Sequence, residues 1–209
     1  MLQAPLALLA IRDGRVLRTD TGGSIELGTI AEGLSPTSKT RGGHEPGLSA
    51  EGWFYTEHQV YPYGTHVAVA RVDRETGAVA IERYIAGYDI GRAINPMLVK
   101  GQIVGGFAQG LGGALFEEFI YNDRGDPLAA SFADYVMPTA RETPPVEVIL
   151  TEEAPSPLNP LGIKGAGESG ITPVGAVVAS AIEAAIGMPG AIRALPITPQ
   201  RLKRILDGR

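Results

Sequence analysis

A helix-length segment rich in glycine constrains the fold of this chain more than any other feature. Apolar side chains recur four residues apart in residues 97–119, which predicts one apolar stripe along a helix: Val99, Ile103, Phe107, Leu111 and Leu115. The same segment carries six glycines: Gly101, Gly105, Gly106, Gly110, Gly112 and Gly113. Because each interior Gly costs a helix about 0.5–1 kcal/mol relative to Ala, close contacts must offset them. Either tight packing on another element or close approach to a ligand meets that need.

Strand patterns place this helix in an α+β fold. Residues 65–72 and 78–89 alternate around a turn at 73–77 and predict a hairpin. Residues 6–19 predict two short strands with a turn at Asp13-Gly14, residues 25–34 a short helix, and residues 128–135 and 146–151 further extended segments. Thr172 with Pro173, and Thr198 with Pro199, predict the starts of two more helices. Without regular βαβ alternation, these elements favour mixed or antiparallel sheets with packed helices.

Composition excludes several functional classes. The net charge of -5 and the absence of a Lys/Arg run argue against nucleic acid as a partner. No cysteine is present, so this chain forms no disulfide and supplies no thiolate to an iron–sulfur cluster. Three histidines without an H-E-x-x-H pair give no reason to expect a metal held by the protein itself. No apolar stretch approaches the roughly 20 residues of a membrane span.

The segment Lys164–Gly170, KGAGESG, fits the dinucleotide fingerprint G-x-G-x-x-G. That fingerprint requires a strand running into the first Gly, whereas residues 155–163 contain three prolines. It also requires an acidic residue about 20 positions later, which is absent here. Two other interpretations of Glu168 remain open. It is either a general base presented by a glycine loop, or a structural residue that caps the following helix or is simply solvated.

Five stretches, in order, resemble the large subunits of the molybdenum hydroxylases, the family of xanthine dehydrogenase, aldehyde oxidase and the aerobic carbon monoxide dehydrogenases. They cover the hairpin at 63–91, the glycine-rich helix at 91–118, SFADYVMPTA at 131–140, the loop at 155–170 and LPITPQRLKRIL at 195–206. The likeness is greatest to subunits of the carbon monoxide dehydrogenase type. It implies the molybdopterin-binding fold of this family, with residues 1–60 as a linker and partial N-terminal subdomain and residues 61–209 as the C-terminal molybdopterin-binding domain.

The resemblance also implies a cofactor and site residues. The cofactor is molybdenum on a molybdopterin dinucleotide, commonly the cytosine form in bacterial members. Glu168 takes the role of the general base, which removes the proton from the attacking hydroxyl or water. Gln102 matches a glutamine that hydrogen-bonds the pterin, and Lys164, Gly165, Ala166 and Gly167 match the loop whose backbone lies along it. Gly105 and Gly106 become sites of close approach.

The family's large subunit is several times longer than this chain. We therefore expect a C-terminal piece of a molybdenum-dependent oxidoreductase subunit, inactive alone, that acts on a small molecule together with the N-terminal half and with FAD-binding and 2Fe-2S subunits. The expected compartment is the cytoplasm, with the periplasm as the alternative. Aldehydes, N-heterocycles and carbon monoxide all remain open as substrates. The rival hypothesis is a non-catalytic interaction or regulatory module that keeps the fold.

Overall fold

A long antiparallel hairpin organises the larger of two units of the chain. The computed structural model describes residues 2–208, and the chain divides into Met1–Tyr55 and Thr56–Arg209. The hairpin is built from β4 (Tyr63–Val72) and β5 (Val79–Asp89). A 3-10 turn at Leu6–Leu8 precedes the first strand. The remaining strands and α-helices are β1 (Leu9–Arg12), β2 (Arg15–Arg18), β3 (Ser24–Glu26), α1 (Leu27–Gly33), α2 (Pro96–Leu115), β6 (Val146–Thr151), α3 (Val174–Ile186) and α4 (Pro199–Leu206).

The larger unit has a mixed three-stranded sheet in the order β4-β5-β6. β4 and β5 are antiparallel, and β6 pairs in parallel with β5, so that Ala86 lies between His66 and Val148. One face of this sheet enters the core, where the rings of Tyr84 and Phe107 lie 4.1 Å apart. The buried cluster takes most of its other members from β5, α2, α3 and α4. The α+β class predicted from the sequence is confirmed.

Helix α2 has the predicted apolar stripe, and packing explains half of its glycines. Asn95 caps its start, since its side chain accepts hydrogen bonds from the backbone of Met97 and Leu98. A Cβ on Gly106 would lie 2.9 Å from Gly170 Cα, and one on Gly110 would lie 2.6 Å from Val174 Cβ. Gly112 is similarly crowded, whereas a Cβ on Gly101, Gly105 or Gly113 would meet nothing within 4 Å.

The smaller unit contains the antiparallel sheet β1-β2-β3 followed by α1. The turn between β1 and β2 has positive φ at both Asp13 (49°) and Gly14 (70°), as a two-residue hairpin turn requires. The two predicted strands and the short helix are confirmed. The strand β3 was not predicted, because two of its three residues, Ile25 and Glu26, were assigned to the start of the short helix, which begins only at Leu27.

Three sequence predictions differ from the structure. Residues 128–135 form no strand, because the Ser131 hydroxyl turns the chain by bonding Ala133 N and Asp134. Helix α2 ends at Leu115, where two successive backbone N–H groups donate to the carbonyl of Gly112. Thr172 does not cap α3, and Pro173 precedes the helix rather than opening it.

Candidate functional site

The loop Lys164–Gly170 is anchored at its start by a buried ion pair. Lys164 Nζ lies 2.9 Å from Asp89 Oδ1, and the two side chains are 7% and 6% exposed. The N–H groups of Gly91 and Ala154 also donate to this carboxylate. The N–H of Gly91, followed by the Lys164 ammonium, holds the pKa of Asp89 well below its ordinary value. The side chain of Lys164 therefore fixes the loop to the end of β5, and only its backbone is left to contact a ligand.

The end of the loop is anchored by packing and by one buried hydrogen bond. Gly170 lies against the Ile103 carbonyl so closely that a Cβ would clash with it. The Tyr88 hydroxyl donates to the Ser169 carbonyl. The loop is thus held between β5 and α2 by groups other than the Glu168 side chain.

Glu168 is exposed and lines a cavity of about 660 Å³. Its carbonyl accepts a hydrogen bond from Thr172 Oγ1 at 3.1 Å, which explains why Thr172 does not cap α3. One wall of the cavity is the loop, and the other comes from the chain before β4, the first residues of β4, Tyr88 of β5 and the two residues before α3. The lining residues are Val60, Tyr61, Pro62, Tyr63, Gly64, Tyr88, Gly165, Ala166, Gly167, Glu168, Ser169, Thr172 and Pro173.

The backbone of this loop carries free hydrogen-bond donors. Gly165 N donates to Val60 O at 3.0 Å. Within residues 2–208, no hydrogen bond uses the N–H of Ala166, Gly167 or Glu168. Consecutive free N–H groups of this kind suit a ligand that presents oxygen acceptors or negative charge.

The Gln102 side chain lies close to the loop. The Gln102 amide nitrogen lies 3.7 Å from the position that a Cβ on Gly167 would occupy. Gly105 also has open space beside it, so it can admit close approach. Gly106 has no such space, because the loop itself at Gly170 and Ile171 fills it.

Sequence reasoning missed Ser169. Its side chain is buried, 6% exposed, and lines the cavity, yet its hydroxyl has no hydrogen-bond partner among the described residues. A buried hydroxyl without a partner is costly unless something supplies one. Position beside Glu168 was the one available signal in the sequence, since a single serine carries no motif.

Comparison with known proteins identifies the family. A family model described as the molybdopterin cofactor-binding domain matches residues 1–144. The chain belongs to the molybdopterin cofactor-binding domain family of molybdenum hydroxylase large subunits. The gamma subunit of the 6-hydroxypseudooxynicotine dehydrogenase complex of Paenarthrobacter nicotinovorans is 40% identical over 202 residues, 97% of this chain and 25% of that subunit. The carbon monoxide dehydrogenase large chain of Afipia carboxidovorans is 40% identical over 125 residues, 60% of this chain and 15% of the relative.

Solved structures agree with this family assignment. A copper- and molybdenum-containing carbon monoxide dehydrogenase in its reduced state matches with a TM-score of 0.85 at 29% identity, over 97% of this chain and 25% of that one. Quinoline 2-oxidoreductase from Pseudomonas putida 86 matches with a TM-score of 0.83 at 32% identity, over 97% and 26%. This member of the family therefore spans about a quarter of the length of these relatives.

The cavity fits the cofactor that defines the family. The orphaned Ser169 hydroxyl, the free N–H groups of the loop and the open space beside Gly105 on α2 are features that a large polar organic group would satisfy. Within residues 2–208 no group of three or more His, Asp or Glu side chains is arranged to hold a metal ion. No helix in the described part is long and apolar enough to cross a membrane.

Proposed function

We propose that this chain is the C-terminal part of a molybdenum hydroxylase large subunit, and that it supplies the general base Glu168 and part of the cofactor-binding wall. One observation carries the proposal. Glu168 lines a cavity of about 660 Å³ together with the loop that carries it. The family membership and the nearby Gln102 amide support it.

Several groups of this chain would hold the cofactor, which we propose to be the cytosine dinucleotide form of molybdenum–molybdopterin. The Gln102 amide and the Ser169 hydroxyl are the side-chain contacts, and the backbone from Lys164 to Gly167 is the main-chain contact. When bound, the cofactor supplies the metal and the two-electron redox chemistry. Because the side chain of Lys164 is paired with Asp89, Lys164 would contact the cofactor only through its backbone.

Glu168 acts as the proton acceptor in this proposal. Its carboxylate is carried by a short loop whose main chain is fixed on both sides, so the loop presents this acceptor to the cavity. A carboxylate so held removes the proton of the attacking hydroxyl or water. The reaction is the hydroxylation of an aldehyde or N-heterocycle with oxygen from water, or the oxidation of carbon monoxide.

We propose that the chain acts within an assembly, as its relatives are named to do. Those relatives are named as subunits, which supports partners of the same kind here. We propose the N-terminal half of the molybdenum subunit, an FAD-binding subunit and a 2Fe-2S subunit, with the cytoplasm as the compartment. Alone, this chain is expected to show no turnover, since it provides only part of the cofactor site.

The test uses co-expression with a complementary polypeptide. We define this as the Paenarthrobacter nicotinovorans gamma subunit without the quarter that aligns with this chain. Molybdenum, pterin and turnover of an N-heterocyclic substrate are measured for the wild type, for Glu168→Gln and for the control Glu153→Gln, which changes another exposed glutamate. Loss of one general base corresponds to a fall in kcat of about 10²–10⁴-fold, with unchanged cofactor content.

Two outcomes would contradict the proposal. Undiminished turnover in Glu168→Gln would show that Glu168 is not the general base. An assembled complex without molybdenum or pterin would favour the rival function, a non-catalytic module that retains the fold.

A further inference from the structure

Tyr63, the first residue of β4, lines the cavity but has no part in the proposed function. It is 58% exposed and lies on the wall opposite the loop, and Glu168 lines the same cavity. A tyrosine ring buries a large apolar area when it is covered. An exposed ring inside a cavity therefore offers this area to a ligand.

One face of the Tyr63 ring is covered by a buried ammonium group. Lys164 Nζ lies 4.0 Å from the ring centroid, in a cation–π contact. The Lys164 side chain is only 7% exposed, because it is also paired with Asp89. The exposed part of the ring is therefore its opposite face and its rim.

The position of this ring is fixed by its neighbours. Tyr63 pairs with Asp89 at the end of the β4-β5 ladder. The next residue, Gly64, lies so close to β5 that a Cβ there would clash with the Gly87 carbonyl. Because the strand fixes the main chain and the ammonium holds one face, the ring needs little further ordering when a ligand binds.

The wall opposite Tyr63 supplies hydrogen-bond donors. Within residues 2–208, no hydrogen bond uses the N–H of Ala166, Gly167 or Glu168, and the Ser169 hydroxyl has no partner there. A planar conjugated ring with acceptor atoms on its rim matches both walls, since its face stacks on tyrosine and its rim accepts hydrogen bonds. An aliphatic ligand would match only the apolar surface.

We propose that Tyr63 is a binding residue of this cavity, on which a planar conjugated ring with hydrogen-bond acceptors on its rim stacks. The pterin of the cofactor and an N-heterocyclic substrate both have this chemistry. As a contact to either of them, the inference rests on the proposed function.

The co-expressed complex described above distinguishes the two sources of the ring. Tyr63→Leu removes the aromatic ring, Tyr63→Phe keeps it, and the control Tyr121→Leu removes a tyrosine that is 59% exposed and lies outside the cavity. Loss of one stacking contact lowers affinity about fivefold or more. If the substrate stacks, Tyr63→Leu should raise KM by this factor at unchanged pterin content. If the cofactor stacks, Tyr63→Leu should lose pterin and molybdenum. Tyr63→Phe and Tyr121→Leu should match the wild type.

Saturation-transfer NMR on this chain alone needs neither cofactor nor turnover. The probe is benzamide, a conjugated ring with a carbonyl acceptor, and cyclohexanecarboxamide is its non-aromatic control. We expect benzamide to bind the wild type and Tyr63→Phe, and to bind Tyr63→Leu about fivefold more weakly or less. Cyclohexanecarboxamide should give no signal.

The failure of this inference can be distinguished from the failure of the proposed function. A complex in which Tyr63→Leu keeps the KM, pterin and molybdenum of the wild type would overturn the inference and leave the proposed function intact. Equal losses in Tyr63→Phe and Tyr63→Leu would also overturn it, because the hydroxyl and not the ring would then be needed. A wild-type complex without cofactor would refute the proposed function. Benzamide binding would then decide alone, and equal signals for the two amides, or none for either, would overturn the stacking surface.

Discussion

Two glycine-to-alanine variants of α2 would measure how tightly this helix packs on α3. A Cβ at position 110 would lie 2.6 Å from Val174 Cβ, and neither atom can rotate away because each is fixed by its backbone. A Cβ at position 105 would meet nothing within 4 Å. The two positions therefore share a helical backbone and differ in the space beside it.

Both variants gain about 0.5–1 kcal/mol from the helix propensity of Ala. Gly110→Ala in addition incurs the cost of overpacking, about 1–3 kcal/mol. Because the propensity gain is common, the difference between the variants isolates the steric cost. At about 2–4 °C per kcal/mol for a chain of this size, Gly110→Ala should melt about 2–12 °C below Gly105→Ala.

Thermal melts followed by far-UV circular dichroism on the isolated chain measure this difference. Equal melting temperatures for the two variants would refute the packing argument. In the cofactor-loaded complex the order of the two melting temperatures should change. Gly105→Ala is expected to bind less pterin if that open position admits the cofactor, and it would then lose the stabilisation that the cofactor provides.

Three further perturbations test the groups that surround the site. Burial lowers the pKa of His66 from 6.5 to about 4, so the unfolded chain binds a proton at a higher pH than the folded chain does. The free energy of unfolding should therefore fall as the pH drops from about 6.5 towards 4. In urea denaturation at a series of pH values, His66→Phe should reduce this pH dependence. Because the pKa of Asp89 is lowered, its ionised carboxylate stabilises the fold above about pH 3.9, and this stabilisation is lost as the pH falls further. At pH 7, Asp89→Asn should therefore melt at a lower temperature than Glu82→Gln, a control in an exposed ion pair. The difference between the two melting temperatures should disappear in acid. Tyr88→Phe removes the hydroxyl that donates to the Ser169 carbonyl, which should lower the local stability of the loop by about 1 kcal/mol. Amide hydrogen exchange in the loop, measured by mass spectrometry, should then be about fivefold faster.

Local patterns were sufficient to predict most of the regular elements. Alternation of apolar and polar residues predicted the β4-β5 hairpin, and apolar residues four positions apart predicted the apolar stripe of α2. Thr198 caps α4 through its side chain, as predicted. The pattern could not distinguish an extended segment from the turn at Ser131, because side-chain hydrogen bonds that compete with strands leave no periodic signal. The parallel pairing of β6 with β5 was likewise beyond local patterns, since it joins residues about 60 positions apart.

The candidate site followed from sequence in part. The motif led to Glu168 and the resemblance led to Gln102, and the structure brings the Gln102 amide beside the loop. The engagement of Lys164 with Asp89 was not predicted, because it depends on the end of β5 meeting a loop 75 residues later. The free hydroxyl of Ser169 was missed for a similar reason: burial and partners are properties of three-dimensional packing.

The two anchors of the loop have a consequence for how such a site can diversify. Neither the Lys164–Asp89 pair nor the seat of Gly170 on Ile103 involves the side chain at position 168. Substitutions there should therefore leave the course of the main chain intact. If Glu168 is the base that we propose, the reactive group can be exchanged at this one position without rebuilding the loop that carries it.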